Sequence, residues 1–301
     1  MTDEATRCGF VAIIGATNAG KSTLVNRLVG TKVSIVSRKV QTTRSLVRGI
    51  AMVGAAQVIF VDTPGIFAPK RRLARAMVET AWGGARDADL VAMMIDAARG
   101  IDPETEEMLR KLGEIGHPKI LVLNKVDLVK RDTLLVLADA ANKAVPFERT
   151  FMISAATGDG TGDLLAFLAE RIPPGPWLYP ADEVSDIPLR QLAAEITREK
   201  LFDRLHQELP YEATVETDQW TEQKDGSVRI EQTIFVARDS QKKIVIGKGG
   251  QAIKAISMAA RAEIAEVAER PVHLFLFVKV RENWADDPER YRAMGIEFPR
   301  G

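Results

Sequence analysis

Gly15-Ala16-Thr17-Asn18-Ala19-Gly20-Lys21-Ser22 is an eight-residue stretch of the form G-x-x-x-x-G-K-S. It follows the apolar run Phe10-Val11-Ala12-Ile13-Ile14, which predicts a buried strand. It precedes Thr23-Leu24-Val25-Asn26-Arg27-Leu28-Val29, whose apolar spacing predicts a helix. Strand, glycine-rich loop and helix in that order form the setting of a phosphate-binding loop. Glycine permits backbone conformations closed to residues with a Cβ, so successive N–H groups can turn toward an anion. The helix start adds the positive end of its dipole. Lys21 then supplies a charge for β- and γ-phosphates and Ser22 a hydroxyl for Mg²⁺, while Gly15, Thr17, Asn18, Ala19, Gly20 and Thr23 complete the nucleotide-binding stretch.

Four further pieces follow in the first half of the chain. Lys39-Val40-Gln41-Thr42-Thr43-Arg44 has neither helical nor strand periodicity and reads as a loop. In nucleotide switches a loop threonine completes the Mg²⁺ shell when the γ-phosphate is present; Thr42 and Thr43 are both candidates, and the sequence leaves the choice open. The strand Ala56-Gln57-Val58-Ile59-Phe60-Val61 ends in Asp62-Thr63-Pro64-Gly65, a D-x-x-G at the carboxyl end, where an open α/β sheet places its ligand. Asp62 is positioned to hold Mg²⁺ through water, and the Gly65 N–H to reach a γ-phosphate. Lys21, Thr42, Thr43 and Gly65 are therefore the candidate catalytic residues. Ras-like GTPases carry a water-orienting glutamine directly after this glycine, but here Ile66 and Phe67 follow, so slow intrinsic hydrolysis is expected.

Strand Lys119-Ile120-Leu121-Val122-Leu123 delivers Asn124-Lys125-Val126-Asp127, an N-K-x-D. The Asp127 carboxylate can accept from guanine N1–H and the 2-amino group; adenine offers no such donors and would leave the carboxylate buried and unpaired. Lys125 can lie over the base while Asn124 ties loops together. The last strand, Arg149-Thr150-Phe151-Met152-Ile153, runs into Ser154-Ala155-Ala156-Thr157-Gly158, whose small residues let backbone N–H groups reach the guanine carbonyl oxygen. Ser154 is expected to cap that turn. The alternation of strands and helices predicts an α/β P-loop GTPase domain, a doubly wound, mostly parallel sheet with all five motifs at one edge.

The bulk properties fit two domains. The chain has 301 residues, 46% of them apolar, and a formal net charge of zero. Residues 179–301 hold 18 Lys/Arg against 22 Asp/Glu, a net of −4, which leaves +4 for the remainder. A single cysteine, Cys8, excludes an internal disulfide and fits a reducing cytosol. Met1-Thr2-Asp3-Glu4 lacks the features of a signal peptide, and no run approaches the roughly 18 apolar residues of a spanning helix, so a cytoplasmic protein is expected.

Ile172-Pro173-Pro174-Gly175-Pro176-Trp177 cannot be helix or central strand and marks the expected boundary, giving domains 1–176 and 177–301. Trp177 and Tyr179 are expected to anchor it. Beyond it the pattern reads helix (about Leu189 to Leu209), two strands around the hairpin signal Asp225-Gly226, helix, helix, strand. Gly247-Lys248-Gly249-Gly250, a G-x-x-G, separates the two helices. That order and loop predict an α+β type II KH domain, in which the loop clamps the backbone of about four nucleotides. From Ser240 through Ala262 there is no acidic residue, while Lys242, Lys243, Lys248, Lys254 and Arg261 are all present. The candidate RNA-binding set is Lys242, Lys243, Ile246, Gly247, Lys248, Gly249, Gly250 and Lys254, with single-stranded RNA favoured. His273 is expected in the core, and Trp220 and Trp284 are expected to pack rather than stack on bases.

Over essentially its whole length the chain resembles the Era family, bacterial GTPases with a C-terminal KH domain. The motifs above carry the resemblance, together with Ala194-Glu195-Ile196-Thr197-Arg198-Glu199-Lys200-Leu201, Glu208-Leu209-Pro210-Tyr211, Gln241 to Gly250 and Trp284-Ala285-Asp286-Asp287. It departs from the family pattern at Ala16-Thr17, where Arg-Pro is more usual, and in its short tail after Ile296. The resemblance implies GTP/GDP and Mg²⁺ as ligands, GTP hydrolysis, and binding near the 3′ end of 16S ribosomal RNA during assembly of the small (30S) subunit. It also implies a cytosolic protein with peripheral association at the inner membrane; no obligate protein partner is evident. Related GTPases with Asn at the position of Asn18 often bind K⁺ beside the phosphates, which makes Asn18 a candidate K⁺ ligand and hydrolysis a candidate for K⁺ or RNA stimulation. The competing readings are an RNA-binding scaffold with vestigial turnover and a tRNA-modification GTPase, although no stretch here could form the separate catalytic or cofactor domain the latter needs.

Overall fold

The computed structural model describes residues 5–37, 43, 44, 46–67, 69, 72–205, 213–282, 287–293 and 296–298. They form two compact units. The first comprises described residues 5–34, 43–186 and 296–298, the second 35–37 and 187–293.

In the first unit, β1 (Arg7–Gly15) leads through the phosphate loop into α1 (Lys21–Val29), and β2 (Val47–Val53) and β3 (Ala56–Asp62) follow. Next come α2 (Arg72–Asp87), β4 (Leu90–Asp96), α3 (Pro103–Gly113), β5 (Lys119–Asn124), α4 (Arg131–Ala144), β6 (Arg149–Ile153) and α5 (Thr161–Arg171). The six strands lie in the order β2-β3-β1-β4-β5-β6, parallel except for β2 against β3, a mostly parallel sheet as expected. β1 is covered on both faces. Val11 and Ile13 join one core with Leu24, Phe60 and Leu164, while Ala12 and Ile14 join the other with Met93, Leu109 and Leu134. Interior parallel strands read as continuous apolar runs for this reason.

The helices α2 and α4 are not apparent in the sequence. α2 contains Gly83-Gly84, and each glycine costs about 1 kcal/mol relative to Ala in a helix interior. Burial of Ala74, Ala76, Met77, Ala81, Trp82 and Ala85 outweighs that cost. α4 carries the contiguous run Leu134-Leu135-Val136-Leu137, which has no single-face period; it buries Leu134 and Ala141 and leaves Leu135 and Val136 exposed.

The proline-rich stretch lies along the first unit. The Cys8 N–H donates to Pro173 O (3.2 Å) and the Gly175 N–H to Thr6 O (2.9 Å). Trp177 Nε1 donates to Ala55 O (3.0 Å), and Gln57 Nε2 to Tyr179 O (2.8 Å), so both aromatic residues anchor as expected.

The second unit runs α6 (Leu189–Arg204), β7 (Ala213–Glu222), β8 (Val228–Val236), α7 (Asp239–Ile246), α8 (Gln251–Val267) and β9 (Val272–Val280), with a short α9 (Pro288–Ala293). β7 and β8 form the antiparallel hairpin, turned by Gly226 at φ +81°, and β9 adds parallel to β8. Two apolar clusters join the inner faces of the strands to the helices. α6 ends at Arg204, where Leu205 turns extended, rather than near Leu209; the expected Pro210-Tyr211 stop lies outside the described residues. His273 is exposed, contrary to the expected core position, because the two-residue period of β9 turns Val272 and Leu274 inward and His273, Phe275 and Phe277 outward. Trp220 packs partly buried against the second cluster, and Trp284 lies outside the described residues.

Candidate functional site

The carboxyl ends of β1, β3, β4 and β5, and the turn after β6, converge on one edge of the sheet. Gly15 and Gly20 can be nothing larger. A Cβ on Gly15 would lie 2.3 Å from Met94 O, and one on Gly20, at φ +101°, would lie 2.3 Å from Asn124 Nδ2. Asn18 adopts the left-handed conformation at φ +62°, and its exposed side chain stands at the loop's tip. Lys21 opens α1 and is buried. Its Nζ donates to Gly15 O (3.1 Å) and Ala16 O (2.8 Å). Burial pushes its pKa down to about 8, against the opposing pull of the Asp62 carboxylate.

Asp62 terminates β3 in full burial. Its Oδ2 accepts from Ser22 Oγ and Ser34 Oγ, each at 2.7 Å, while Oδ1 has no hydrogen-bond partner among the described residues. Burial raises its pKa above the ordinary value, and the two hydroxyls work against that rise. Thr43 Oγ1 lies 3.0 Å from Ser22 Oγ. Ser22, Thr43 and Asp62 thus gather hard oxygen donors around an orphaned buried carboxylate oxygen, a set that fits Mg²⁺. Thr42 lies outside the described residues.

Gly65 abuts the phosphate loop: a Cβ there would meet Thr17 Cγ2 at 2.7 Å and Thr17 Cα at 2.9 Å. The Ile66 N–H donates to Gly15 O (3.1 Å), and its side chain is buried in the core with Ala16, Ala81 and Trp82.

Asn124 joins the two halves of the edge. Its Nδ2 donates to Ala19 O (2.7 Å) and its Oδ1 accepts from the Ala155 N–H (2.9 Å), the tie expected from the motif. Lys125, at φ +65°, reaches Asn18 O (2.9 Å) and Asp96 Oδ2 (2.5 Å). Asp127 is exposed in a short 3₁₀ turn. The Ser154 Oγ accepts from the Thr157 N–H (3.2 Å), capping the turn. Thr23, in the first turn of α1, is half-buried.

Three residues outside the sequence motifs also shape this edge. Asp96 ends β4 in the way Asp62 ends β3, a positional signal that was readable. Ser34 was not readable: it reaches Asp62 because Asn26 Oδ1 accepts from the Val33 and Ser34 N–H groups, both at 2.9 Å. Arg27 is the third.

In the second unit, Gly247, Gly249 and Gly250 have φ of +73°, +60° and +75°. A Cβ on Gly247 would lie 2.7 Å from Ala252 Cβ, whereas Gly249 and Gly250 face open space, so bare backbone is presented at the start of α8. Lys243, Lys248 and Lys254 are exposed, and Lys242 and Ile246 half-buried. No acidic residue stands in the first turn of α8.

Fold and site together define a P-loop GTPase joined to a KH domain. A family model described as 50S ribosome-binding GTPase matches residues 10–125, and one described as KH domain matches residues 208–285. The chain is 70% identical to the GTPase Era of Rhizobium meliloti, covering 98% of this chain and 94% of that one, and 67% identical to that of Bradyrhizobium diazoefficiens, covering 98% and 96%. It belongs to the Era GTPase family. Two solved structures share the whole fold at a TM-score of 0.91 and 39% identity, covering 96% of this chain and 99% of theirs. One is Era in complex with MgGDPNP and nucleotides 1506–1542 of 16S ribosomal RNA; the other is a variant of Aquifex aeolicus Era bound to GDP·AlF4⁻.

Proposed function

We propose that this GTPase is a switch that binds 16S ribosomal RNA near its 3′ end and acts in small-subunit assembly, with GTP turnover in residues 1–176 and RNA binding in 177–301. The observation that carries the nucleotide half is the buried Asp62 carboxylate, one oxygen accepting from the Ser22 hydroxyl, itself 3.0 Å from that of Thr43, and the other without a partner among the described residues. Support for the RNA half comes from the exposed glycine backbone at Gly249-Gly250, the lysines around it, and the relative solved with 16S nucleotides.

In this reading Ser22, Asp62 and Thr43 (or Thr42) hold Mg²⁺, which offsets phosphate charge when bound. Lys21 exchanges its two carbonyl partners for phosphate oxygens, and the loop backbone from Gly15 to Gly20 cradles the anion. Asp127 and the turn at Ser154-Ala155 select guanine. Ile66, committed to the core, offers nothing to orient water, so acceleration must come from elsewhere; Asn18, exposed in the loop, is the candidate K⁺ ligand. The chain acts in the cytoplasm, with peripheral association at the inner membrane; among the described residues no helix is long and apolar enough to cross one.

The test measures GTP hydrolysis with and without RNA carrying the 16S 3′ sequence, in wild type and in Lys248→Glu and Gly249→Asp. Stimulation of wild type, lost in both variants while GTP affinity holds, is expected. Equal hydrolysis with and without RNA would sink the coupling.

A further inference from the structure

The turn that follows β6 is held by an arginine from the phosphate-binding helix. Arg27 lies six residues beyond Lys21 on α1, and its Nη2 donates to Ala156 O at 2.6 Å and its Nε to Ala155 O at 3.4 Å. Gly158, at φ +94°, closes over the same guanidinium: a Cβ there would lie 3.7 Å from Arg27 Nη1.

The protein's own groups meet nearly all the hydrogen bonding of this turn. The Ser154 N–H donates to Asp159 O (3.0 Å), the Ala155 N–H to Asn124 Oδ1 (2.9 Å), the Thr157 N–H to Ser154 Oγ (3.2 Å) and the Gly158 N–H to Ser154 O (2.8 Å). Only the Ala156 N–H makes no hydrogen bond among the described residues. That N–H shares one planar trans peptide with Ala155 C=O, so the two point in opposite directions. Arg27 takes the carbonyl and thereby turns the N–H away from itself. The shorter bond, at 2.6 Å, holds the next carbonyl, Ala156 O, so the guanidinium fixes the peptide on either side of the Ala156 Cα.

We propose that Arg27 is a positioning residue for guanine recognition, aiming the Ala156 N–H at the carbonyl oxygen of the base. The inference rests on reading the turn as the guanine-carbonyl contact. It makes α1 a common mount: phosphate groups at its first turn, the base-reading peptide two turns further along.

A merely structural tie would weaken every nucleotide alike. Three ligands separate the cases in competition against a fluorescent GDP: GDP itself, IDP, which keeps the carbonyl but lacks the 2-amino group, and 6-thio-GDP, whose sulfur accepts weakly. In Arg27→Ala, GDP and IDP affinities are expected to fall in parallel by about five- to tenfold, the loss of one well-aimed hydrogen bond, while 6-thio-GDP changes by about twofold or less. Arg27→Lys, which keeps a cationic donor, should recover part of the loss. Equal weakening of all three ligands, or no weakening at all, overturns the proposal. Wild type that does not distinguish GDP from 6-thio-GDP overturns instead the reading of the turn on which it rests.

Discussion

Replacing Asp62 by asparagine should separate stability from function in opposite directions. The carboxylate is wholly buried, one oxygen accepts two hydroxyl bonds, and the other has no partner among the described residues. Burying a carboxylate costs several kcal/mol even after relaxation. Against this stand the extra strength of two charge-assisted bonds, about 1 kcal/mol each, and the attraction of Lys21. Asparagine keeps an acceptor for Ser22 and Ser34 and removes the charge, but places an amide NH₂ where Oδ1 has no partner, a cost of about 1 kcal/mol set against the gain. The balance favours Asp62→Asn by about 1–2 kcal/mol without Mg²⁺. For a domain of this size that corresponds to a rise of about 2–8 °C in the midpoint of its melting transition. With Mg²⁺ and GDP the order reverses. A ligand at a hundred times its Kd adds about 2.7 kcal/mol to wild type, and the variant loses most of that increment. Thermal melts in EDTA and in Mg²⁺·GDP, read by circular dichroism, should therefore cross. The pH profile in EDTA gives a second check. Because the folded Asp62 keeps its proton to higher pH than the unfolded one, wild-type stability falls as pH rises from 3.8 through the raised folded value, and the asparagine variant lacks that slope. A variant that melts below wild type in EDTA, or one that keeps the full Mg²⁺ increment, would refute the assignment of this carboxylate.

Lys21 has the opposite sign: its folded pKa of about 8 lies below the ordinary 10.5, so ligand-free stability should climb, by up to about 3 kcal/mol, as pH rises between those values, and Lys21→Met should show no climb. Asp127→Asn should shift preference from guanine toward xanthine nucleotides by about tenfold or more, since the amide can donate where the carboxylate only accepts; competition binding with XDP and GDP decides it. Ile66→Gln should not install a water-positioning group. The side chain is held in the core beside Ala81 and Trp82, so burying an amide there should cost about 1–3 kcal/mol in melts and leave single-turnover hydrolysis no faster. A faster variant would show that the residue can face the nucleotide.

The nucleotide motifs were readable in the sequence because each is short, contiguous and delivered by a strand end. Apolar runs such as Val58-Ile59-Phe60-Val61 announce strands buried on both faces, and Asp62, Asn124 and Ser154 fall where such strands stop. The KH order was readable for a related reason: Gly226 and the three glycines from Gly247 to Gly250 mark turns that other residues adopt at a cost. What stayed hidden was decided by tertiary contact. α2 tolerates two glycines because the sheet buries its alanines, α4 has an apolar run on its solvent side, and His273 faces outward through the register of β9 alone. Ser34 and Arg27 act across 28 and 128 residues of sequence, respectively, and no local pattern reports such partners.

Gly20 approaches the Asn124 amide so closely that the piece holding phosphates and the piece holding the base meet without room for a methyl group. With Asn124 also bonded to Ala19 O and the Ala155 N–H, that seam is held together by the protein's own groups. A preorganised grip of this kind has already lost its conformational entropy on folding, so little is regained on letting go. Release of GDP from such a seam is then expected to be slow. A small wedge at the seam, Gly20→Ala, should act as a built-in release catch and shorten GDP residence time in a stopped-flow chase.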